Sequence, residues 1–342
     1  MVRTSWVALL TVLAACSGDP PTTDGSVDVD ADADTDADSD TDADSDADTD
    51  TDTDTDADTD AGEVAILQVQ LAGFGDPADL FYPAGTAYDP LPTVVFLQGV
   101  DVERAYYREF ASRLAGYGYA VIVPDHQRTV LLLNGLYAEV GVIDAGLETT
   151  LAESDRVGSP LEGRIDPDRA AVAGHSLGGV AAIEGIGGEC SSLLCTSSSY
   201  TPPPSVRAGV TYGSNRKPPI GGIPDTDNHG IPLLLVQGTA DGAASPDDTV
   251  TTWAQIADPP KALLLVDDAN HYAITDEQNP PGALPDNSPQ TLDQTAGIEL
   301  LASWYGTFLD AFVREDPAAL AAFPDGTTEP APGLTLRMEV GP

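Results

Sequence analysis

The sequence predicts an α/β fold in which a mostly parallel, twisted β-sheet is covered by helices on both faces. Short apolar runs rich in β-branched residues alternate with amphipathic stretches, and Gly- or Pro-rich loops separate them, as in a parallel sheet covered by helices. The predicted strands cover residues 64–71, 93–97, 119–123, 170–173, 206–212, 232–236 and 262–266. Helices are predicted over 104–115, from Leu177 onward, over 247–257 and over 298–314, and loops are expected at 201–205, 217–230 and 279–289.

The N-terminus has the features of an export signal. Residues 1–3 are weakly basic, and the apolar run at 6–13 is far shorter than the roughly 20 residues that span a bilayer. The run ends in Leu13-Ala14-Ala15-Cys16, which resembles the lipobox of bacterial lipoproteins. This resemblance implies a signal peptide at 1–15, lipidation of Cys16, and anchoring in the cell envelope at the outer membrane or cell surface. The alternative is an ordinary signal peptide with an incidental cysteine.

The segment that follows Cys16, up to residue 62, is expected to form a disordered linker. Asp occupies nearly every second position from Asp28 to Asp60, with Ala, Thr and Ser between. Neither face of an extended chain would be apolar, and the like charges repel one another. Weak calcium binding is the alternative, although the turn glycine and terminal Glu of an EF-hand-type loop are missing. Residues 63–342 then make up one large domain.

The charge of the chain excludes several classes of partner. The net charge is −42, and 19 of the 56 acidic residues lie before residue 63, which leaves 37 acidic against 13 basic residues in the body. A body this acidic is not expected to bind nucleic acid or anionic lipid headgroups. Membrane attachment is therefore expected only through the N-terminal lipid anchor.

The segment Gly174-His175-Ser176-Leu177-Gly178-Gly179 carries the strongest chemical signal. A Gly-x-Ser-x-Gly motif between an apolar strand and a helix is typical of a nucleophile elbow, a tight turn that exposes the serine hydroxyl above the sheet. Ser176 is therefore the predicted nucleophile, and Leu177 is expected to supply one backbone N–H of the oxyanion hole. The second donor is assigned to Val100, in the loop after the strand at 93–97. His175 is expected to point away from the substrate and to serve local packing.

A serine nucleophile needs a base and a group that orients the base. His271 follows the strand at 262–266, and Asp241 follows the strand at 232–236. Both thus lie at the carboxyl ends of strands, where sites of α/β proteins form, and they are the predicted base and acid. His229 precedes a strand, on the wrong side of the sheet. The remaining candidates are expected to be turn-formers, rim residues or structural residues: Asp267, Asp268, Asp125 and His126.

Two further cysteines, Cys190 and Cys195, lie five positions apart. In an exported protein they are expected to form a local disulfide if they lie in a loop or at a helix end. Two cysteines alone make a poor zinc site. The sequence implies no metal and no organic cofactor.

These motifs resemble those of one superfamily. Residues 94–100, 106–115, 118–119 and 123–126, with the segments 174–179, 238–241 and 269–271, are similar to cutinase-like polyester hydrolases, chlorophyllases and dienelactone hydrolase relatives. The similarity covers residues 93–314. It implies the α/β-hydrolase fold, the chain order Ser, acid, His, and hydrolysis of small-molecule or lipid esters through an acyl-enzyme.

Three departures from those families narrow the substrate. Val100 stands where the polyester hydrolases commonly have an aromatic residue, Gln98 stands where relatives often have His, and no Trp occurs between Thr211 and Pro232. The sequence therefore favours ordinary carboxylic esters over polyester plastics.

Three other functions are alternatives. A peptidase or an acyltransferase would use the same fold and triad, but peptidases of this fold usually carry an additional propeller or lid domain. A non-catalytic, surface-tethered binding protein is disfavoured by the presence of Ser, Asp and His in the expected order. Whether residues 272–295 form a lid is left open by the sequence.

Overall fold

The computed structural model describes residues 63–130, 132–191, 194–195 and 199–341. The predicted signal peptide, Cys16 and the Asp-rich linker lie outside the described residues. The strands, in chain order, are β1 (Val64–Gln70), β2 (Pro77–Pro83), β3 (Leu91–Leu97), β4 (Ala120–Pro124), β5 (Gln127–Val130), β6 (Leu133–Leu136), β7 (Ile165–His175), β8 (Val206–Tyr212), β9 (Leu233–Gly238), β10 (Lys261–Val266), β11 (Gly326–Thr328) and β12 (Leu334–Glu339). β5 and β6 form a separate hairpin, and the other strands form one ten-stranded sheet.

The sheet is parallel at its centre and antiparallel on both sides. Its strand order is β1-β2-β4-β3-β7-β8-β9-β10-β12-β11. The six strands from β4 to β10 in this order run parallel, whereas β1 and β2 on one side and β12 and β11 on the other pair antiparallel. The carboxyl ends of the parallel strands share one edge of the sheet, so the loops that leave them meet there.

Helices cover both faces of this α/β sheet. They are α1 (Arg108–Gly116), α2 (Gly141–Asp155), α3 (Leu177–Ile186), α4 (Pro246–Ala254), α5 (Gln294–Phe312) and α6 (Pro317–Leu320). Successive residues of a strand point to opposite faces. Val94 and Phe96 of β3 accordingly join a hydrophobic core with α1 and α5, whereas Val95 and Leu97 join a second core with α2 and α3. In the part of the chain that the structure describes, no helix has both the length and the apolar character needed to cross a bilayer.

All seven predicted strands are observed. Six of them differ from the prediction by at most two residues at either end, whereas the strand predicted over 170–173 extends over Ile165–His175 as β7. The stretch predicted as one helix over 104–115 begins as a 3-10 turn at Arg104–Tyr107 and continues as α1. The last predicted helix begins four residues earlier than expected, as α5, because the side chain of Asp293 caps it by accepting the N–H of Ala296 (3.0 Å). The three expected loops lie outside the helices and named strands.

Several elements were not predicted, and their sequences explain why. β2 begins and ends with proline, which argues against a strand, yet it pairs with both β1 and β4. α2 contains Gly141 and Gly146, which lower helix propensity. At Gly146 the helix lies so close to β3 that a Cβ would be 2.8 Å from Val95 Cγ1, so close packing favours the glycine. The β5–β6 hairpin, α6 and the strands β11 and β12 were also not predicted.

Cys190 and Cys195 form a disulfide, with Cα atoms 5.4 Å apart. Both residues follow the end of α3 at Ile186, and neither is helical. The disulfide is therefore formed by two cysteines outside a helix, as the sequence predicts.

Candidate active site

Ser176 occupies a strained turn between β7 and α3. Its backbone has φ 55° and ψ −124°, which lies outside the regions that L-residues favour and costs of order 1–3 kcal/mol. The turn exists because its neighbours are glycines. A Cβ at Gly174 would lie 2.5 Å from the carbonyl carbon of Gly178, and a Cβ at Gly178 would lie 2.0 Å from the oxygen of Leu97. Any larger residue at either position would push the turn apart.

The same turn is attached to β8. The N–H of Ser176 donates to the carbonyl of Tyr212 (3.0 Å), and the hydroxyl of Ser214 lies 3.0 Å from the carbonyl oxygen of Ser176. A Cβ at Gly179 would lie 2.0 Å from Ser214 Oγ, so this contact also requires a glycine. The backbone that carries the serine side chain is thus held from β3 and from β8.

His271 and Asp241 meet at the same edge of the sheet. His271 Nδ1 lies 2.9 Å from Asp241 Oδ2, and each residue is 5% exposed. Asp241 Oδ1 accepts the N–H groups of Ala243 (2.9 Å) and Ala244 (2.7 Å), and Gln237 Nε2 donates to Oδ2 (3.0 Å). A carboxylate surrounded by donors acts as an acceptor, so His271 Nδ1 is assigned the proton and Nε2 has the lone pair. This is the tautomer that a general base needs.

The rival residues for acid and base lie elsewhere. Asp267 and Asp268 are exposed, and Asp267 Oδ1 lies 3.4 Å from Thr239 Oγ1. His229 is half-exposed, with Nδ1 3.2 Å from Asp227 Oδ1. None of these residues lines the pocket that contains Ser176 and His271.

Asp125 and His126 support the edge of the sheet, as expected of structural residues. Asp125 accepts the backbone N–H of Arg104 (2.6 Å) and pairs with its guanidinium. His126 Nδ1 lies 2.7 Å from Asp76 Oδ2, and the His126 carbonyl accepts a hydrogen bond from Gln98 Nε2 (3.2 Å). These contacts tie the end of β3 to the end of β4.

A pocket of about 150 Å³ contains both Ser176 and His271. Further lining residues are Val100, Val102, Ala244 and Leu284. Sites for drug-sized ligands usually measure about 300–1,000 Å³, so this pocket is small. Its apolar walls suit a short hydrocarbon group rather than a charged one.

Val100 brings its backbone N–H group to this pocket, and Leu177, which is not among the lining residues, directly follows Ser176. Val100 lines the pocket, and Leu177 is the first residue of α3, where N–H groups have no partner within the helix. Neither N–H donates to another residue that the structure describes. Gly99 permits this arrangement, because a Cβ there would lie only 3.3 Å from the Cβ of Ser176 and 2.9 Å from His175 Nδ1. The two N–H groups and the helix N-terminus suit the stabilisation of an oxyanion.

His175 is hydrogen-bonded towards both sides of the site. Its Nδ1 lies 2.9 Å from the hydroxyl of Tyr107, which accepts the N–H of Gly99 (2.9 Å). Its Nε2 lies 2.9 Å from the carbonyl oxygen of His271. Burial lowers the pKa of His175 well below its ordinary value, and repulsion from His271 adds to the effect. The residue expected to serve packing thus also links the loop of Gly99 to the loop of His271, and it lines the pocket.

Residues 272–295 form a wall of the pocket through Tyr272 and Leu284. The hydroxyl of Tyr272 donates to the carbonyl of Leu284, and Gln294 Nε2 donates to the carbonyl of Tyr272 (2.7 Å). Asn270, one residue before the predicted base, donates through Nδ2 to the carbonyl of Ser288 (3.1 Å). The segment is therefore anchored both to the loop that carries His271 and to the start of α5.

Tyr107, Gly213 and Asp286 were missed at the sequence level. Tyr107 has helical apolar spacing, which is the pattern of an ordinary core residue. Gly213 follows β8 with φ 58°, and a Cβ there would lie 3.0 Å from both Asp241 Oδ2 and His271 Nδ1. Asp286 lies in a Pro-rich loop and accepts the backbone N–H of His271 (3.0 Å). A lone glycine or aspartate in a loop carries no signal of such contacts.

Comparison with models of known protein families finds no match, and no curated protein matches the chain.

Proposed function

We propose that the protein is a serine hydrolase with the α/β-hydrolase fold that cleaves carboxylic esters. The observation that carries the proposal is the 2.9 Å contact between His271 Nδ1 and Asp241 Oδ2, both buried beside the pocket that contains Ser176. Chain order also supports it: the serine follows β7, the acid follows β9 and the base follows β10.

In the proposed reaction, His271 Nε2 takes the proton of the Ser176 hydroxyl as the serine oxygen attacks the ester carbonyl carbon. The carbonyl electron pair moves to the oxygen, whose negative charge the N–H groups of Val100 and Leu177 stabilise. When the carbonyl re-forms, the bond to the alcohol oxygen breaks and the alcohol leaves with the proton from His271. Asp241 holds the imidazole and stabilises its positive charge.

Water completes the cycle. His271 takes a proton from the water molecule as its oxygen attacks the acyl-enzyme, and the second tetrahedral intermediate releases the carboxylic acid and the serine hydroxyl. The triad, the ester and water supply every proton and electron pair. The proposal therefore requires no metal and no organic cofactor.

The volume of the pocket supports a prediction of the length of the acyl chain. A volume of about 150 Å³ with walls that include Val100, Val102 and Leu284 supports a short-chain acyl group on a small-molecule or lipid ester. The proposal places this activity in the cell envelope, with Cys16 as the lipid anchor and the Asp-rich linker as a tether.

Hydrolysis of p-nitrophenyl esters from acetate to palmitate by the full chain tests the proposal. Ser176→Ala is expected to lower kcat by about 10⁴-fold or more. Ser303→Ala, on α5 and outside the pocket, is the matched control and is expected to keep full activity. A folded wild-type protein without activity on any of these esters would overturn the proposal, and an optimum at palmitate would contradict the short acyl group.

A further inference from the structure

Asp286 is a buried carboxylate beside the triad that the proposed reaction does not use. It is 4% exposed. Its Oδ2 accepts the N–H groups of Gly242 (3.0 Å) and His271 (3.0 Å), and its Oδ1 accepts the N–H of Ser288 (2.8 Å). A buried carboxylate must be hydrogen-bonded, and these backbone donors supply the bonds.

Two of the three donors belong to the loops of the triad itself. Gly242 directly follows the predicted acid, and His271 is the predicted base. A Cβ at Gly242 would lie 2.6 Å from Asp286 Oδ1 and 2.2 Å from Ser288 Oγ, so the approach requires a glycine. Asp286 thus bridges the loop that carries the acid and the loop that carries the base.

Asp286 also brings a negative charge to the residue that carries the imidazole, because its Oδ2 accepts the His271 N–H. The other titratable groups facing His271 are Asp241, 2.9 Å from Nδ1, the ring of His175 at 4.7 Å and the ring of Tyr272 at 5.2 Å, both between centroids. Burial and the charge of Asp286 raise the pKa of Tyr272 to about 12, so this phenol is neutral when the triad works. A second negative charge favours the imidazolium that forms during acyl transfer.

We propose that Asp286 is a positioning residue of the triad, which fixes Gly242 and His271 relative to each other and stabilises the protonated imidazole. This inference rests on the proposed function. Asn at position 286 would keep the side-chain volume, but it would replace one acceptor with a donor that faces backbone N–H groups. It would also remove the charge.

Kinetics of the full chain with p-nitrophenyl butyrate test the inference. Asp286→Asn is expected to lower kcat by about 10- to 100-fold, with KM changed by less than about 3-fold, because a misplaced base affects the chemical step more than binding. The acid limb of the pH profile of kcat/KM is expected to move to lower pH by about half a unit or more, because the imidazolium loses a nearby negative charge. Loss of a merely structural contact would leave that limb in place.

Asp267→Asn is the matched control. Asp267 is exposed and four residues from His271, and its carboxylate contacts the hydroxyl of Thr239 (3.4 Å). The control removes a nearby charge and one long, exposed hydrogen bond to Thr239, but no bond to Gly242 or His271. It is expected to keep the wild-type kcat and pH profile. An equal loss in both variants would overturn the proposal.

An NMR titration of the histidine side chains reads the effect of Asp286 without relying on activity. The side-chain resonances of His271 are expected to move in Asp286→Asn, whereas those of the half-exposed His229 are expected to stay in place. If no form of the protein hydrolyses esters, the proposed function fails, and this titration still decides whether Asp286 acts on His271.

Asp286→Glu is a second variant that allows the test if Asp286→Asn does not fold. It keeps the charge but lengthens the side chain, so it is expected to keep the acid limb and to lose kcat. Wild-type kcat together with an unchanged His271 titration in Asp286→Asn would overturn the proposal. Wild-type kcat in Asp286→Glu, if Asp286→Asn does not fold, would overturn it as well.

Discussion

The hydroxyl of Tyr107 lies 2.9 Å from Nδ1 of His175, and this contact is part of a chain of hydrogen bonds with a fixed direction. Because the His271 carbonyl can only accept, His175 Nε2 must carry the proton. Nδ1 of the neutral ring then accepts the O–H of Tyr107, and the phenolic oxygen accepts the N–H of Gly99. Two buried rings therefore couple the loop that precedes Val100 to the loop of His271.

Tyr107→Phe is expected to break this chain. The substitution leaves the N–H of Gly99 and Nδ1 of His175 buried without partners, so the free energy of unfolding should fall by about 2 kcal/mol. The kcat for p-nitrophenyl butyrate should fall by about 10-fold, because the loop that supplies the Val100 N–H loses its support. Urea denaturation and steady-state kinetics measure the two effects.

Tyr305→Phe is the control for Tyr107→Phe. Tyr305 is also a fully buried tyrosine, packed against Phe110 with ring centroids 5.1 Å apart. Its hydroxyl has no hydrogen-bond partner among the described residues, so its removal should leave stability and kcat near the wild-type values. If both variants lose the same amount, the hydrogen bonds of Tyr107 are not the cause.

The neutral state of His175 predicts a pH dependence of stability. Burial holds the pKa of His175 well below its ordinary value in the folded protein, whereas in the unfolded chain the ring takes up a proton below a pH of about 6.5. The unfolded state then binds more protons, so the contribution of His175 to stability falls by up to about 1.4 kcal/mol per pH unit below that pH and is constant above it.

The difference in unfolding free energy between wild type and His175→Gln isolates this effect. The difference should be largest near pH 7.5 and should shrink as the pH falls towards 5, because the variant lacks the titrating group. His229→Gln, which removes a half-exposed histidine, should show a much weaker trend. A constant difference for His175→Gln between pH 5 and 7.5 would show that the pKa of His175 is the same in the folded and unfolded states, which contradicts the prediction.

Leu284→Ala is expected to lengthen the preferred acyl chain. Leu284 lines the pocket, and removal of its terminal carbons makes room for additional methylene groups, each worth about 1 kcal/mol or more. The kcat/KM for p-nitrophenyl octanoate relative to butyrate should rise by about 10-fold. Leu320→Ala on α6 is the control. Leu320 and Leu284 are almost equally exposed, at 39% and 38%, but Leu320 lies outside the pocket. An unchanged ratio in Leu284→Ala would place the acyl chain elsewhere.

Residues that come just after a recognisable strand can be placed from the sequence. Ser176, Asp241 and His271 could be found in this way, because each comes directly after a β-branched or apolar run, and the carboxyl ends of parallel strands meet. The helix α2 could not be predicted, because its two glycines lower helix propensity, and Gly146 matches the close approach of β3 instead.

Contacts between distant loops were not predictable either. Asp286 reaches Gly242 across 44 positions of the chain, and Tyr107 reaches His175 across 68. The sequence spacing of neither pair indicates a contact. Each contact depends on the path of loops, which is set by the tertiary packing of the domain.

The closeness of Gly178 to Leu97 constrains how this protein can diversify. A Cβ at Gly178 would lie 2.0 Å from the Leu97 oxygen, so the end of β3 and the start of α3 touch backbone to backbone. Because no side chain separates them, no single mutation reshapes that junction by trimming a residue, and any mutation that adds an atom disrupts it. Leu284 and Ala244, by contrast, present side chains from loops. Natural selection for a new ligand would therefore act on the loop wall, while the half around Ser176 would be inherited unchanged.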